Sequence, residues 1–186
     1  MGFQTPKRPV DSTVIWRYMG MDKLLDLFFN RRLTFNQVAI AADRNELSLI
    51  LNHMPSENKD GATKFINHMR HSTYISCWTM KDFESRALWY SYLDSTLQGI
   101  SIVTTVQQVI DSIDWGDKAY DYRIVDYRDS FDPEEIQSNT ITSNTKSTAY
   151  FEESEVRFLV SYLGKFSDES PPKDSEELGS RSSKTI

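Results

Sequence analysis

From Glu153 to Val160 the chain reads Glu-Ser-Glu-Val-Arg-Phe-Leu-Val, and charged and apolar side chains alternate with the period of two that belongs to a β-strand. Read as a strand, this segment sets Glu153, Glu155 and Arg157 on one face and Ser154, Val156, Phe158 and Val160 on the other. The second set needs an apolar layer to cover it, so the strand needs a sheet around it and a core beneath it. The first set crowds two carboxylates beside one guanidinium. A neighbouring negative charge raises a carboxylate's pKa, which is the property of a general base. The same row also suits a solvated strand face carrying a cross-strand ion pair.

The surrounding pattern gives the strand its partners. Thr13-Val-Ile-Trp-Arg-Tyr18, Leu33-Thr-Phe35, Tyr74-Ile-Ser-Cys-Trp-Thr79 and residues 100–104, 118–127 and 156–163 are β-branched or aromatic and read as strands. Met21, Leu24, Leu25, Phe28 and Phe29 recur at helical spacing after Gly20, with Arg31 and Arg32 placed for the C-terminal dipole. Further helices are expected over residues 45–52, 62–70, 83–93 (capped by Asp82), 106–113 and from Pro133 onward. Without a strict βαβ rhythm, the expectation is one α+β domain with a mainly antiparallel mixed sheet flanked by helices. Its bounds are residues 13–163, after a flexible arm at 1–12. Residues 164–186 contain Phe166, Leu178 and Ile186 as their only sizeable apolar side chains, so they read as a disordered polar tail.

Composition bounds the function more than it names it. A net charge of −6 and a pI near 5.1 give no broad basic surface, so nucleic acid is a disfavoured partner. One cysteine, Cys77, allows no internal disulfide framework and fits a reducing, cytoplasmic setting. No apolar run reaches the roughly 20 residues of a membrane helix, and the opening MGFQTPKRPV lacks a signal-peptide core, so no membrane partner is expected. Glycine-rich phosphate loops and a G-x-S-x-G elbow are missing, and His68 and His71 lack a convincing third metal ligand, so no metal site is assigned.

Besides the Glu153/Glu155/Arg157 row, the densest candidate cluster is Trp78, Glu84, Ser85, Trp89 and Tyr92. On a helix Glu84, Ser85, Leu88, Trp89 and Tyr92 fall within about 140° of one another, enough for a carboxylate beside an aromatic wall. Core packing explains the aromatics equally well. Arg17 interrupts an apolar strand and has to reach solvent, pair with an acid or bind an anion. Lys146 and Tyr150 lie close before the Glu-x-Glu row. Asp43-Arg-Asn-Glu46 reads as a capping box.

In order, Trp16-Arg17-Tyr18, Cys77-Trp78, Glu84-Ser85, Trp89, Tyr92 and Lys146…Glu153-x-Glu155-x-Arg157 resemble an uncharacterised bacterial and phage domain family. That family opens on W-R-Y, carries C-W…E-S…W…Y at its centre and ends in K…E-x-E-x-R. Its members are often met near mobile elements and phage-defence genes, and its D-P-F-E reads Asp43-Arg-Asn-Glu46 here. The chain is also similar to one class of ADP-ribosyltransferases, which combine an Arg on the first strand, a hydroxyl-bearing strand and a Glu-x-Glu. That resemblance implies NAD as cofactor, Arg17 on the pyrophosphate, Ser76 or Thr79 at the ribose, Trp78 or Tyr150 on nicotinamide, and Glu153 and Glu155 in catalysis. Two rival expectations are a non-catalytic nucleotide- or protein-binding pocket around Arg17, Glu84 and Arg157, and a metal-dependent nuclease using Asp43, Glu46, Glu153 and Lys146.

Overall fold

The computed structural model describes residues 7–40, 57, 59–93, 98–116, 118–130, 143–161 and 175–179. Its first strand, β1 (Val14–Gly20), runs into a short helix α1 (Met21–Leu25) that widens into a π turn over Asp26–Asn30. Strand β2 (Arg32–Gln37), a 3-10 turn (Val38–Ile40), helix α2 (Lys59–Ser72) and strand β3 (Thr73–Thr79) follow. Next come α3 (Arg86–Tyr92), β4 (Gly99–Thr105), α4 (Val106–Ser112), β5 (Ala119–Ile124), β6 (Asp126–Tyr127) and β7 (Thr145–Lys146). A 3-10 turn (Thr148–Glu153) leads into β8 (Glu155–Ser161), and β9 is Ser175–Gly179.

Seven of these strands form one antiparallel sheet centred on β3, so the molecule is an α+β domain as its pattern of runs implied. Strand β8 pairs along all of β3, from Thr73 with Ser161 to Thr79 with Glu155, and β5 pairs with the far edge of β8. The other edge of β3 is divided between two neighbours. Strand β2 pairs at its start, through Tyr74 and Ile75, and β1 at its end, where Trp16 meets Thr79. Between these two points β1 and β2 diverge, and each carries an outer strand of its own, β4 on β1 and β9 on β2. The sheet is therefore split opposite Ser76–Trp78.

Alternation fixes what each face carries. Ile15, Phe35, Tyr74, Trp78, Val156, Phe158 and Val160 project to one side and are buried there beneath Val106, Val109 and Ile113 of α4 and its neighbour Trp115. Helix α4 starts where it does because Thr105 caps it, its side chain accepting from Gln108 N while Gln108 reaches back to Thr105 N. The opposite face carries Trp16, Tyr18, Cys77, Thr79, Glu155 and Arg157, partly covered by Leu88 of α3.

Four expectations need correction. The segment from Lys7 is tied down: its Lys7 carbonyl accepts from Ile124 N, and Arg8 pairs with Asp121 at 2.9 Å. The helix at Met21–Phe29 does not bury its apolar stripe, for Phe28 and Phe29 are 74% and 72% exposed. The π turn adds a residue to the helical circuit and rotates these rings outward, leaving Leu27 to pack on the core. The helix expected from Asp82 begins only at Arg86, with Ser85 at its N-cap, so Glu84 precedes it. Lastly, part of the supposed tail is a strand. Ser175–Gly179 pairs with β2 in five register positions, Leu178 is 2% exposed, and the Gly179 carbonyl accepts from Asp114 N. The helices expected at 45–52 and from Pro133 lie outside the described residues.

Ending the chain at Phe166 is therefore expected to lower the melting midpoint by about 5–10 °C, because burying Leu178 and pairing the β2 edge together contribute about 2–3 kcal/mol. A thermal melt of the truncated chain beside the full one measures this. An unchanged midpoint would show that β9 adds no stability.

Candidate functional site

The period-two row closes into a buried charge cluster at the start of β8. Glu155 and Arg157 are each 1% exposed, and Arg157 grips Glu155 with Nε to Oε1 at 2.8 Å and Nη2 to Oε2 at 3.3 Å. Arg157 Nη1 donates to the Ser143 carbonyl at 2.8 Å. Lys146, brought in by the short parallel pair of β6 and β7, reaches Glu153 at 2.6 Å and Glu155 at 3.1 Å. Glu153 belongs to the 3-10 turn rather than to the strand. Ser154 takes a left-handed conformation with φ 46°, and this turns the chain so that both carboxylates meet one ammonium.

The two carboxylates are electrostatically unlike. Burial works to raise the pKa of Glu155, but Arg157 and Lys146, with hydrogen bonds from Arg157 and Cys77, reverse it and hold the group at about 2. For Glu153 burial wins: its pKa is raised despite Lys146, and the charge of Glu155 raises it further. One carboxylate is thus kept ionised while its neighbour is moved toward neutrality, the separation that divides acid–base roles. Burial and the charge of Glu155 raise the Cys77 thiol well above its ordinary value, so it is no thiolate nucleophile. Tyr127, whose hydroxyl accepts from Glu155 N at 2.9 Å, is raised by burial as well.

Beside these groups lies a small cavity of about 10 Å³, room for about one water, walled by Trp16, Tyr18, Cys77, Thr79, Tyr92 and the two glutamates. Tyr92 is 37% exposed as a residue, yet its phenol end is enclosed here, and burial raises its pKa, as do the neighbouring Cys77, Glu155 and Glu153. Trp89 meets Tyr18 edge-on at 4.8 Å and donates to Glu84 at 2.7 Å, while Ser85 N donates to the Tyr18 hydroxyl at 2.9 Å. Tyr150 lies at the outer side of the cluster, its ring 4.9 Å from Lys146 Nζ.

Arg17 stands on the other face. Strand alternation puts it with Ser76 and Trp78, not with Glu155, and its guanidinium occupies the split between β1 and β2. There Nη2 donates to the Thr34 carbonyl of β2 at 2.7 Å, and the group lies 5.7 Å from the centre of the Trp78 ring. Nη1 has no partner although the residue is only 6% exposed, and among the described residues no carboxylate pairs with it. Burial lowers its pKa to about 10, partly offset by Cys77 and Tyr92, groups on the opposite face that it senses through the split.

The structure therefore brings together Glu153, Glu155, Lys146, Arg157 and Tyr150, and separately Arg17, Ser76 and Trp78. It does not gather Arg17, Ser76 and Glu155 on one wall. Ser76 is 1% exposed and its Oγ accepts from Trp78 Nε1 at 2.9 Å, so it supports the Trp78 ring. Trp78 itself is 3% exposed and packs edge-on against Phe158, which withdraws it from a stacking role on the glutamate side. Thr79, donating to the Glu153 carbonyl at 2.6 Å, is the hydroxyl on that side. Glu84 stands at the surface away from the glutamates, bound to Trp89. Trp16 and Tyr18 enter the sequence reading only as part of the W-R-Y resemblance and Tyr127 only as a strand residue, none with a site role. Their place follows from the pairing of Trp16 with Thr79 and of Asp126 and Tyr127 with β7, which no local pattern announces. Asp43 and Glu46 lie outside the described residues.

No family model, no curated protein and no solved structure matches the chain. Among the described residues no helix is long and apolar enough to cross a membrane, and no three His, Cys, Asp or Glu side chains converge as metal ligands.

The buried quartet makes a signed prediction. Glu155→Gln is expected to cost about 3–5 kcal/mol at neutral pH, since it strands buried cations. The free carboxyl titrates near 4.3 in an unfolded chain and at about 2 here. Its stabilisation is thus complete above the first value and lost as the pH falls through the second. Glu153, shifted upward, acts with the opposite sign and weakens folding as the pH rises past its unfolded value. Denaturant unfolding at several pH values should show the gap between wild type and Glu155→Gln closing between about pH 5 and pH 2. A constant gap would mean that Glu155 is not held ionised.

Proposed function

We propose that this chain handles a nucleotide, gripping its phosphates with Arg17 and transferring a ribosyl group from NAD with the help of Glu153 and Glu155. The observation that carries the reading is Arg17: a buried guanidinium with an open Nη1 and no acidic partner among the described residues, set in a split of the sheet. A buried cation of this kind is costly unless an anion completes it, and guanidinium geometry fits two phosphate oxygens at once. Glu153 and Glu155 lie beyond β3 and on the other face of the sheet from Arg17, so an NAD that engages both has to pass through the split opposite Ser76–Trp78.

The chemistry follows from the charge state of the pair. The bond between the nicotinamide nitrogen and ribose C1′ breaks heterolytically, and the electron pair leaves with nicotinamide. The ionised Glu155 carboxylate stabilises the positive charge growing on the sugar. Glu153, whose pKa is raised toward the working range, takes the proton from the acceptor hydroxyl or water that attacks C1′. In the setting implied by the phage-domain resemblance, such a transfer would act as a defence effector in the cytoplasm.

Incubation of the full chain with NAD is expected to release nicotinamide. Glu153→Gln should slow that release by about 100-fold or more, and Arg17→Lys should raise the KM for NAD by about tenfold by replacing a two-point grip with a point charge. Melting points of both variants confirm that they fold. Stabilisation of the wild type by NAD without nicotinamide release would instead indicate a non-catalytic nucleotide-binding domain.

A further inference from the structure

A second cavity lies on the Arg17 face and is not part of the glutamate cluster. It holds about 280 Å³, and its walls are chiefly apolar: Leu33, Trp78, Ile102, Val109 and Leu178. Close packing is the rule in protein cores, so an apolar void of this size beside a core calls for an occupant. Arg17 is not itself one of these walls but sits next to three of them: its cross-strand partner is Ile102, its ring partner is Trp78, and the carbonyl it binds, Thr34, follows Leu33. A second guanidinium, Arg31, contributes to the wall, held by a left-handed backbone with φ 54° at the end of the π turn. Thr104 and Ser112 add hydroxyls at the margin.

From this juxtaposition we infer that the cavity is the subsite for one nucleoside phosphate unit. Its apolar and aromatic walls take the base, its hydroxyls meet the sugar, and Arg17 with Arg31 takes the phosphate. Two guanidiniums suit a dianion better than the single charge of a carboxylate. The volume is at the lower end of small-molecule pockets, so it accommodates a mononucleotide and not a whole dinucleotide. The choice of a nucleotide rests on the function proposed above. The cavity and the unpaired cation beside it stand independently of the chemistry at Glu153.

AMP is the probe, with octanoate and inorganic phosphate as comparisons, and binding to the full chain is read by calorimetry. AMP should bind, and filling the cavity from α4 with Val109→Phe or, on the same wall, Ile113→Phe should weaken it by about tenfold or more while phosphate binding is kept. Two variants are used because either one folded, as judged by its melt, suffices. If neither folds, loss of AMP binding in Arg31→Met, an exposed position, serves in their place. Octanoate should bind more weakly than AMP, and the reverse order would overturn the assignment in favour of an apolar acid. AMP binding untouched by the substitutions, or absent while nicotinamide is still released from NAD, would overturn the subsite and leave the proposed reaction standing. AMP binding lost on filling the cavity, without any nicotinamide release, would keep the subsite and remove the reaction.

Discussion

Strand β3 has one edge fully matched by β8 and another shared by two strands that cannot both continue beside it. Where β1 and β2 part company, peptide groups that a regular sheet would pair lose their neighbours, and buried peptide groups need partners. A short apolar side chain could fill the space but could not satisfy the carbonyls. Arg17 can, since its stem crosses the gap and its guanidinium reaches Thr34 on the opposite bank. The presence of a cation inside the sheet thus follows from the topology. Its freedom to bind something else follows from having five donors and using few of them.

The same topology keeps opposite charges apart. Glu155 lies two strands from Arg17 and faces the other way, so their charges cannot cancel by contact. Each side resolves its own electrostatics. On one face two carboxylates, a lysine and an arginine form a neutral set whose members satisfy one another. On the other, the buried Arg17 guanidinium has aromatic and carbonyl company but no counter-charge among the described residues. A neutral buried set tends to fix one geometry, whereas an unbalanced charge leaves a preference to be met from outside.

What could be read in advance was what has a period. Glu155–Val160 alternates so regularly that its two faces were separable by inspection, and the meeting of Glu155 with Arg157 followed, whereas Glu153 lies in a 3-10 turn before the strand and is brought in by the left-handed turn at Ser154. Lys146 joined them through a two-residue parallel pairing that has no sequence signature. Arg17 was conspicuous because it is charged within an apolar run, but its distance from Glu155 depends on the register of Trp16 against Thr79, a long-range fact. The stripe from Met21 to Phe29 misled because the α-helix ends at Leu25 and a π turn moves Phe28 and Phe29 around the axis, while Met21 and Leu25 ahead of that turn are exposed as well. Strand β9 escaped because its composition is polar throughout except for Leu178. Edge pairing depends on main-chain hydrogen bonds that side-chain patterns do not encode.

Strand β9 also sets an order of events in time. During synthesis β2 emerges early, whereas the segment that completes its outer edge follows about 140 residues later. At the usual pace of a ribosome that interval is roughly 7 to 30 s. For that period the nascent sheet presents an unpaired border, the kind of surface on which strands of other chains can add. A polar, acid-rich closing strand is well matched to such a delay. Its sequence is too hydrophilic to seek partners of its own while waiting, and it seals the border only once the fold that recognises it exists.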